Sequence, residues 1–348
     1  MSAPHVMELP RRIVIGDGNI GQIGNFLVHL VDGGHVSLVS GIHVKRILGS
    51  MIEASLKASG MTYHWHIFES NDVESFSMAK NNIVQDEPAV IVGMGGGRSV
   101  DIAKMTATSL HKPYVSIPTA ASHDGMASPF VSVKGDRPHS SVATSPLGVF
   151  VDLDIIRRAP PRLLASGCGD LVANIIAVRD WQLGHERTGE YYGRYSASLA
   201  MMSANIIMEN AAIFAERGPD VRLIVEALIS AGVASCIAGS SRPCSGAEHL
   251  FSHALDRISP GRGLHGEKCG MGSIIMAKLH GLDWQGMAAA LKSVGAPITA
   301  ADIGITDGDV VRALCVAQSL RPNRYTILKD ISLNEDSARR LAMQTGVI

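Results

Sequence analysis

The stretch Ala89-Val90-Ile91-Val92-Gly93-Met94-Gly95-Gly96-Gly97-Arg98-Ser99-Val100-Asp101-Ile102-Ala103-Lys104 decides how this chain folds. Its apolar opening reads as a short buried strand, its glycines as a tight connection, and its end as the first turns of a helix. The same order repeats on either side. Arg12–Ile15, His35–Val39, Thr62–Phe68, Ala89–Gly93 and Tyr114–Ile117 read as strands, with helices between them at Ile20–Val31, His43–Ala58, Asp72–Val84 and Ser99–Leu110. This alternation predicts a parallel sheet covered on both faces, a Rossmann-like α/β domain that gathers ligands beyond the carboxyl ends of its strands.

After about residue 150 the strand signals fade. Leu171–Leu183, Ser196–Ala215, Val221–Ala238, Ser245–Leu255, Met271–His280, Gln285–Val294 and Asp309–Ser319 are helical stretches rich in alanine, leucine and methionine. Ala159-Pro160-Pro161 interrupts the chain and marks the boundary. We therefore expect an α/β domain over 1–159 and an all-α domain over 160–348.

Composition narrows the function. The chain is 46% hydrophobic and only 18% charged, against the ~25% charged residues of ordinary domains. Its 31 basic and 32 acidic residues leave a net charge of −1. Intrinsic disorder is excluded, and so is nucleic-acid binding through a basic surface. The five cysteines are odd in number and form no C-x-x-C pair, so neither a disulfide framework nor a cysteine zinc site is indicated. No apolar run approaches the ~18–20 residues of a membrane span, and Met1–Arg12 lacks the apolar core of a signal peptide. These features predict a cytoplasmic enzyme, and the low charged fraction suggests a homo-oligomer, a dimer or higher.

Three loops compete for a ligand. Gly16-Asp17-Gly18-Asn19-Ile20-Gly21 matches G-x-G-x-x-G, yet the second strand ends at Ser40-Gly41 without the acidic residue that would hold a ribose. An ordinary tight turn explains it as well. The Gly95–Gly97 loop is stronger, because three glycines let backbone approach an anion at a helix N-terminus. Ser99 there can cap the helix or bond a phosphate oxygen. The third loop, Pro118-Thr119-Ala120-Ala121-Ser122-His123-Asp124-Gly125-Met126-Ala127-Ser128, is small and polar, suited to a nicotinamide or ribose or to turn chemistry alone.

The second half carries a dispersed set of metal donors. Asp170 follows Ser166-Gly167-Cys168-Gly169 and reads as the start of a helix, where a capping role is equally open. His249 and His253 in Glu248-His249-Leu250-Phe251-Ser252-His253 share a helix face, and His265 opens another helix in His265-Gly266-Glu267-Lys268. One carboxylate and two imidazoles suit a divalent catalytic metal with an open position. The spacing is not a zincin, since H-E-x-x-H would need glutamate where Leu250 stands.

Taken together and in order, Gly95 to Lys104, Pro118 to Gly125, Gly169-Asp170, Glu248 to His253 and His265 to Lys268 resemble the sn-glycerol-1-phosphate dehydrogenase family. That family belongs with glycerol dehydrogenases and iron-dependent alcohol dehydrogenases, and more distantly with dehydroquinate synthase. The resemblance implies a dehydroquinate synthase-like fold and reduction of dihydroxyacetone phosphate to sn-glycerol 1-phosphate for archaeal-type ether phospholipids. It implies NAD or NADP on Gly97, Arg98, Ser99, Val100 and Asp101, with Thr119, Ala120, Ala121, Ser122 and Ser128 around the nicotinamide end. It places a divalent metal, usually zinc, on Asp170, His249 and His265, and substrate against Asp124, Asp170 and His253, the residues expected to be catalytic. The missing acid at Gly41 fits use of both coenzymes, because an acid there would repel a 2′-phosphate. Arg137, His139, Arg262 and Lys268 are the candidates for the substrate phosphate. Two rivals stand beside this reading: glycerol dehydrogenase, and a dehydroquinate synthase-like lyase, which favours glutamate where Asp170 stands.

Overall fold

The computed structural model of the chain describes residues 5–133 and 139–348. They divide into two compact units, one of 1–121 and 125–160 and one of 122–124 and 161–348. The first unit runs β1 (Arg12–Gly16), α1 (Ile23–Val28), β2 (His35–Ser40), α2 (Ile42–Ala58), β3 (Thr62–Ile67) and α3 (Val73–Ile83). It continues with β4 (Val90–Gly95), α4 (Gly97–Leu110), β5 (Tyr114–Pro118), β6 (Phe130–Val133), β7 (His139–Val142), β8 (Gly148–Asp152) and α5 (Leu153–Arg157). Six strands form one sheet in the order β1-β8-β5-β4-β2-β3, all neighbours parallel, and β6 and β7 form an antiparallel pair.

A parallel sheet buried on both faces needs near-continuous apolar strands, which the Val/Ile/Leu runs of β2 and β4 provide. On one face Val36, Leu38, Val90, Val92 and Met94 pack with Ile52 and Leu56 of α2. On the other, Val39 and Ile91 pack with Phe76 and Ile83 of α3 and with Ala103 and Ala107 of α4. Each fully buried Val, Leu or Ile is worth roughly 1.5–3 kcal/mol, so a one-residue slip of register is heavily penalised. β8 escapes the sequence pattern because it is a five-residue strand opening on Gly148, where a Cβ would strike Phe26 and Leu30. Lys104, in the helix after the triple glycine, serves this fold. It is fully buried and donates from Nζ to the Gly125 and Phe130 carbonyl oxygens (2.8 and 2.9 Å).

The second unit is helical: α6 (Pro161–Thr188), α7 (Arg194–Glu209), α8 (Ala211–Arg217), α9 (Val221–Ala238), α10 (Ala247–Ile258), α11 (His265–Leu279), α12 (Trp284–Ser293), α13 (Asp307–Val316), α14 (Ile327–Asp330) and α15 (Glu335–Gln344). Pro161 is the first residue of α6, where its missing N–H costs nothing. The helix begins ten residues before the apolar pattern suggests, because packing of its glycine-rich first half outweighs weak propensity. The stretch Ser196–Ala215 is two helices, α7 and α8, bent by 47° at Asn210.

The expectation that no apolar run nears a membrane span is corrected. Among the described residues, Pro161–Thr188 and Val221–Ala238 are long and apolar enough by length and composition, or three spans if the bent pair counts as one. Arg222 and Glu226 interrupt the apolar letters of α9 without lowering its average much. Of the two apolar windows, 72% and 61% is buried inside the chain.

Candidate active site

In the helical unit the site begins with glycine. A Cβ on Gly169 would run into the carbonyl oxygen of Gly266, and one on Gly266 into that of Ser166. Gly270 faces the Gly169 Cα at ordinary contact distance and is not tight in this way. α6 and α11 therefore meet backbone to backbone, which sets Asp170 beside His265. Glu267 fixes the start of α11 by accepting the Leu264 N–H (2.6 Å) and a bidentate pair from Arg162 (2.5 and 2.8 Å). Asp180 of α6 fixes the start of α10 by accepting the Ala247 N–H (2.6 Å).

Three donor atoms converge on this scaffold. His249 Nε2 and His265 Nε2 are 3.2 Å apart, and Asp170 Oδ1 lies 3.7 and 3.6 Å from them. These separations match the roughly 3.3 Å edge of a tetrahedron with metal bonds near 2.0–2.1 Å. Asp170 Oδ1 is buried and without a hydrogen-bond partner, while Oδ2 accepts the Asp124 N–H (2.9 Å). Two imidazole nitrogens and an orphaned carboxylate oxygen turned on one point fit a divalent cation. Asp170 is the tenth residue of α6, so the helix-start and capping readings fail. The early start of α6 moves it to mid-helix.

The electrostatics agree with a cation site. Burial, with Asp124 and Glu248 nearby, raises Asp170 well above the ordinary carboxylate range, a cost that a bound cation reverses. Burial pushes His249 down to about 4 and His265 well below its usual value, so both present neutral imidazoles. Glu248 Oε1 lies 2.8 Å from His249 Nδ1 and orients the ring so that Nε2 points inward. Burial raises Glu248 to about 8. Its place next to His249 in sequence was the available signal for this orienting role. Cys269, one turn after His265, is grouped with the three donors and has Sγ 3.7 Å from His265 Nε2. Burial holds its thiol well above the usual range, so it stays protonated.

His253 lies one turn beyond His249, its ring centre 6.1 Å from that of His265. Its Nδ1 is buried without a hydrogen-bond partner, and burial pushes it down to about 3. Ser122 and Asp124 belong to this same unit, with Ser166 Oγ donating to the Ser122 carbonyl oxygen (3.2 Å). Of the phosphate candidates, Lys268 is paired with Asp256 and Arg262 is exposed. Arg137 and the side chain of His139 lie outside the described residues. Sequence reasoning passed over the half-buried Arg321, whose charge acts on both His249 and His253.

In the sheet unit the two glycine motifs differ in whether their backbone donors are occupied. The N–H groups of Gly18 and Ile20 both donate to the Asp152 carboxylate (3.2 and 2.8 Å), so the first loop's anion position is already filled. In the second loop Gly95 takes φ +143° and Gly96 caps α4 with no side-chain hydrogen bond. Ser99 is therefore not the cap; it is buried, with Oγ against Gly95. Val100 and Asp101 are buried too, whereas Arg98 is exposed and donates to the Glu69 carbonyl oxygen (2.6 Å). Thr119, Ala120 and Ala121 follow β5 beside this loop, the Thr119 N–H donating to the Gly95 carbonyl oxygen (3.0 Å). Ser128 is buried and accepts the Phe130 N–H (3.2 Å).

One inference from sequence is overturned here. The tip of β2 does carry an acid, supplied by the neighbouring strand. Glu69, just after β3, accepts the Ile42 N–H at the start of α2 (2.9 Å) and places both carboxylate oxygens 3.7–3.8 Å from where a Gly41 side chain would begin. A reading along one strand misses a group that strand pairing delivers from the next.

A family model described as iron-containing alcohol dehydrogenase matches residues 14–160. The glycerol-1-phosphate dehydrogenase [NAD(P)+] of Cenarchaeum symbiosum (strain A) is 65% identical over 343 residues, 99% of this chain and 97% of that protein. The protein of the same name from Nitrosopumilus maritimus (strain SCM1) is 61% identical over 344 residues, again 99% and 97%. Among solved structures, a probable glycerol dehydrogenase from Sinorhizobium meliloti 1021 superposes with a TM-score of 0.80 at 21% identity, covering 98% of both chains. Glycerol dehydrogenase from Schizosaccharomyces pombe does so with 0.77 at 22%, covering 100% of this chain and 94% of its own. These two likenesses show the shared fold.

Proposed function

The chain belongs to the glycerol-1-phosphate dehydrogenase family, and we propose that it catalyses the reversible NAD(P)H-dependent reduction of dihydroxyacetone phosphate to sn-glycerol 1-phosphate. This oxidoreductase step on a CH–OH group would supply the glycerol backbone of archaeal-type ether phospholipids. The observation that carries the reading is the convergence of Asp170 Oδ1, His249 Nε2 and His265 Nε2 in a chain this close to its relatives.

Asp170, His249 and His265 would hold one divalent metal, zinc in our assignment. When bound, such an ion supplies Lewis-acid polarisation of the C2 carbonyl, and a nicotinamide supplies the hydride chemistry. The chain's own work is placement. Glu248 keeps His249 Nε2 directed inward, and Glu267 with Arg162 holds His265 at the mouth of α11. His253, kept neutral by burial, offers Nδ1 to a substrate hydroxyl and orients it, and the Asp124 carboxylate accepts from another. Arg321 adds positive charge beside both histidines, suited to a phosphorylated substrate.

In the sheet unit the bare N-terminus of α4, over Gly97, Arg98, Ser99, Val100 and Asp101, receives the coenzyme diphosphate. The sheet order places Thr119, Ala120 and Ala121 to one side of that loop and Gly41 with Glu69 to the other. A dinucleotide laid across the strand ends would have its nicotinamide towards β5 and its adenosine ribose towards β2 and β3. Ser122 and Ser128 complete our assignment for the nicotinamide end. Five free cysteines, four of them buried, support a reducing cytoplasmic setting. The homo-oligomer rests on the low charged fraction.

Turnover of dihydroxyacetone phosphate against dihydroxyacetone, with chiral analysis of the product, tests this reading. We expect strong preference for the phosphorylated ketone and sn-glycerol 1-phosphate as product. Equal or better use of the unphosphorylated ketone would assign the chain to glycerol dehydrogenase activity instead.

A further inference from the structure

We propose that His64, His66 and Asp86, with His35 beside them as a fourth donor, form a second divalent transition-metal site, located in the sheet unit and independent of the residues assigned above. The parallel register of β2 and β3 sets His35 opposite Thr62, Ser37 opposite His64 and Val39 opposite His66. Residues two apart on a strand share a face, so His35 and Ser37 line up with His64 and His66 on the outer strand pair of the sheet. The turn after α3 brings Asp86 over them. Asp86 Oδ2 lies 2.6 Å from His66 Nε2 and 3.9 Å from His35 Nε2, and Oδ1 lies 3.0 Å from His64 Nδ1.

Two further observations separate this cluster from a casual group of surface histidines. His35 Nδ1 is anchored on Thr62 Oγ1 (2.9 Å), while its Nε2 is enclosed and has no hydrogen-bond partner. An imidazole held by one nitrogen and presenting the other is the usual posture of a metal ligand. Ser37 Oγ donates to Asp86 Oδ2 (2.8 Å) and holds the carboxylate in place, as an outer partner of a ligand does. Three imidazole nitrogens and one carboxylate favour Zn²⁺, Ni²⁺ or Cu²⁺ over Mg²⁺ or Ca²⁺. The donor atoms of His64, His66 and Asp86 lie within 4.8 Å of one another, and His35 Nε2, 3.9 Å from Asp86 Oδ2, stands just outside that group and would close on the ion as a fourth ligand.

Access and consequence follow from position. The His64 side chain is 59% exposed and the His66 side chain 4%, so an ion would enter past His64 and settle against His66. Among the described residues β3 is the last strand of the sheet, paired on one side only. A cation here would tie β2, β3 and the turn at 84–86 together, giving it a stabilising role rather than a catalytic one.

The test counts zinc. Full-length protein stripped by chelation and titrated with Zn²⁺ should bind two ions per chain, and the His249→Ala protein one. Adding His64→Ala and His66→Asn to His249→Ala should abolish that remaining site. His64→Ala alone alters a mostly exposed side chain; it should weaken the second site at least tenfold while leaving turnover unchanged. In the His249→Ala protein, Zn²⁺ should raise the melting temperature, and His64→Ala should remove that rise. A His249→Ala protein that binds no zinc, or whose zinc count ignores changes at 64 and 66, would show a metal-free hydrogen-bonded cluster and overturn the proposal. Loss of the other site alone would instead count against the active-site assignment.

Discussion

Gly96, between β4 and α4, and the pair Gly169 and Gly266, between α6 and α11, use the missing side chain in opposite ways. At Gly96 a Cβ would meet nothing within 4 Å, so the absent side chain leaves backbone open to a ligand. At Gly169 and Gly266 it would strike a backbone oxygen, so the absent side chain lets two helices touch. One region spends glycine on exposure and the other on burial. The difference fits the coenzyme binding proposed for the first and the metal geometry proposed for the second, and it yields effects that should separate cleanly.

The largest effect is expected at the proposed metal donors. A Lewis acid contributes several kcal/mol of charge stabilisation, and each 1.36 kcal/mol is tenfold in rate. His249→Ala should therefore lower kcat by roughly 10³-fold or more, with the coenzyme dissociation constant unchanged by fluorescence titration. Comparable losses in both quantities would break the division between the two regions.

Next comes the buried contact. Overpacking a closed site costs about 1–3 kcal/mol and sometimes more, and Gly266→Ala forces α6 from α11 just beside His265. We expect a clear drop in melting temperature together with zinc affinity weakened by about tenfold or more. A variant with unaltered stability would mean that the two backbones can part without cost, and calorimetry reads this directly.

The same contrast explains what was legible in the sequence. Strand–glycine–helix order at 89–104 displays its chemistry locally, because the loop and the helix it opens are contiguous. The proposed ligands Asp170, His249 and His265 were also legible, as residue types in motifs, but not their convergence. That depends on glycines whose partners are a hundred residues away, as Gly169 is from Gly266. Asp170 was misplaced at a helix start for the same reason: nothing local reveals that Ser166-Gly167-Cys168-Gly169 is helical until α11 is packed against it. Glu69 and Asp152 were invisible because strand pairing delivers them to Gly41 and Gly18 from elsewhere. Both act across the sheet, where sequence distance is silent.

Gly96→Ala should give the reverse of His249→Ala. The protein has room for the methyl group, so stability should hold or rise slightly. A coenzyme diphosphate approaching that backbone should not find room, and its KM should rise roughly tenfold, about 1.4 kcal/mol of lost binding. Zinc affinity should not move. An unchanged KM would remove the diphosphate from this loop.

The smallest effect, and the one that sharpens the coenzyme end of the comparison, belongs to Glu69. Its carboxylate is exposed and sits at the tip of β2, where an acidic group favours a ribose diol and repels a 2′-phosphate. Two unit charges about 4 Å apart in water interact by roughly 1 kcal/mol, with salt reducing this further. Glu69→Gln keeps an acceptor for the Ile42 N–H and removes only the charge. The ratio of kcat/KM for NADPH to that for NADH should therefore rise by about three- to tenfold, mainly through KM for NADPH, and the gain should shrink as salt is added. Serine at the same position would also remove the bond to Ile42 and so report on α2 as well as on charge. A ratio that stays constant in Glu69→Gln would place the 2′-position away from β2 and reverse the orientation assigned to the dinucleotide across the strand ends.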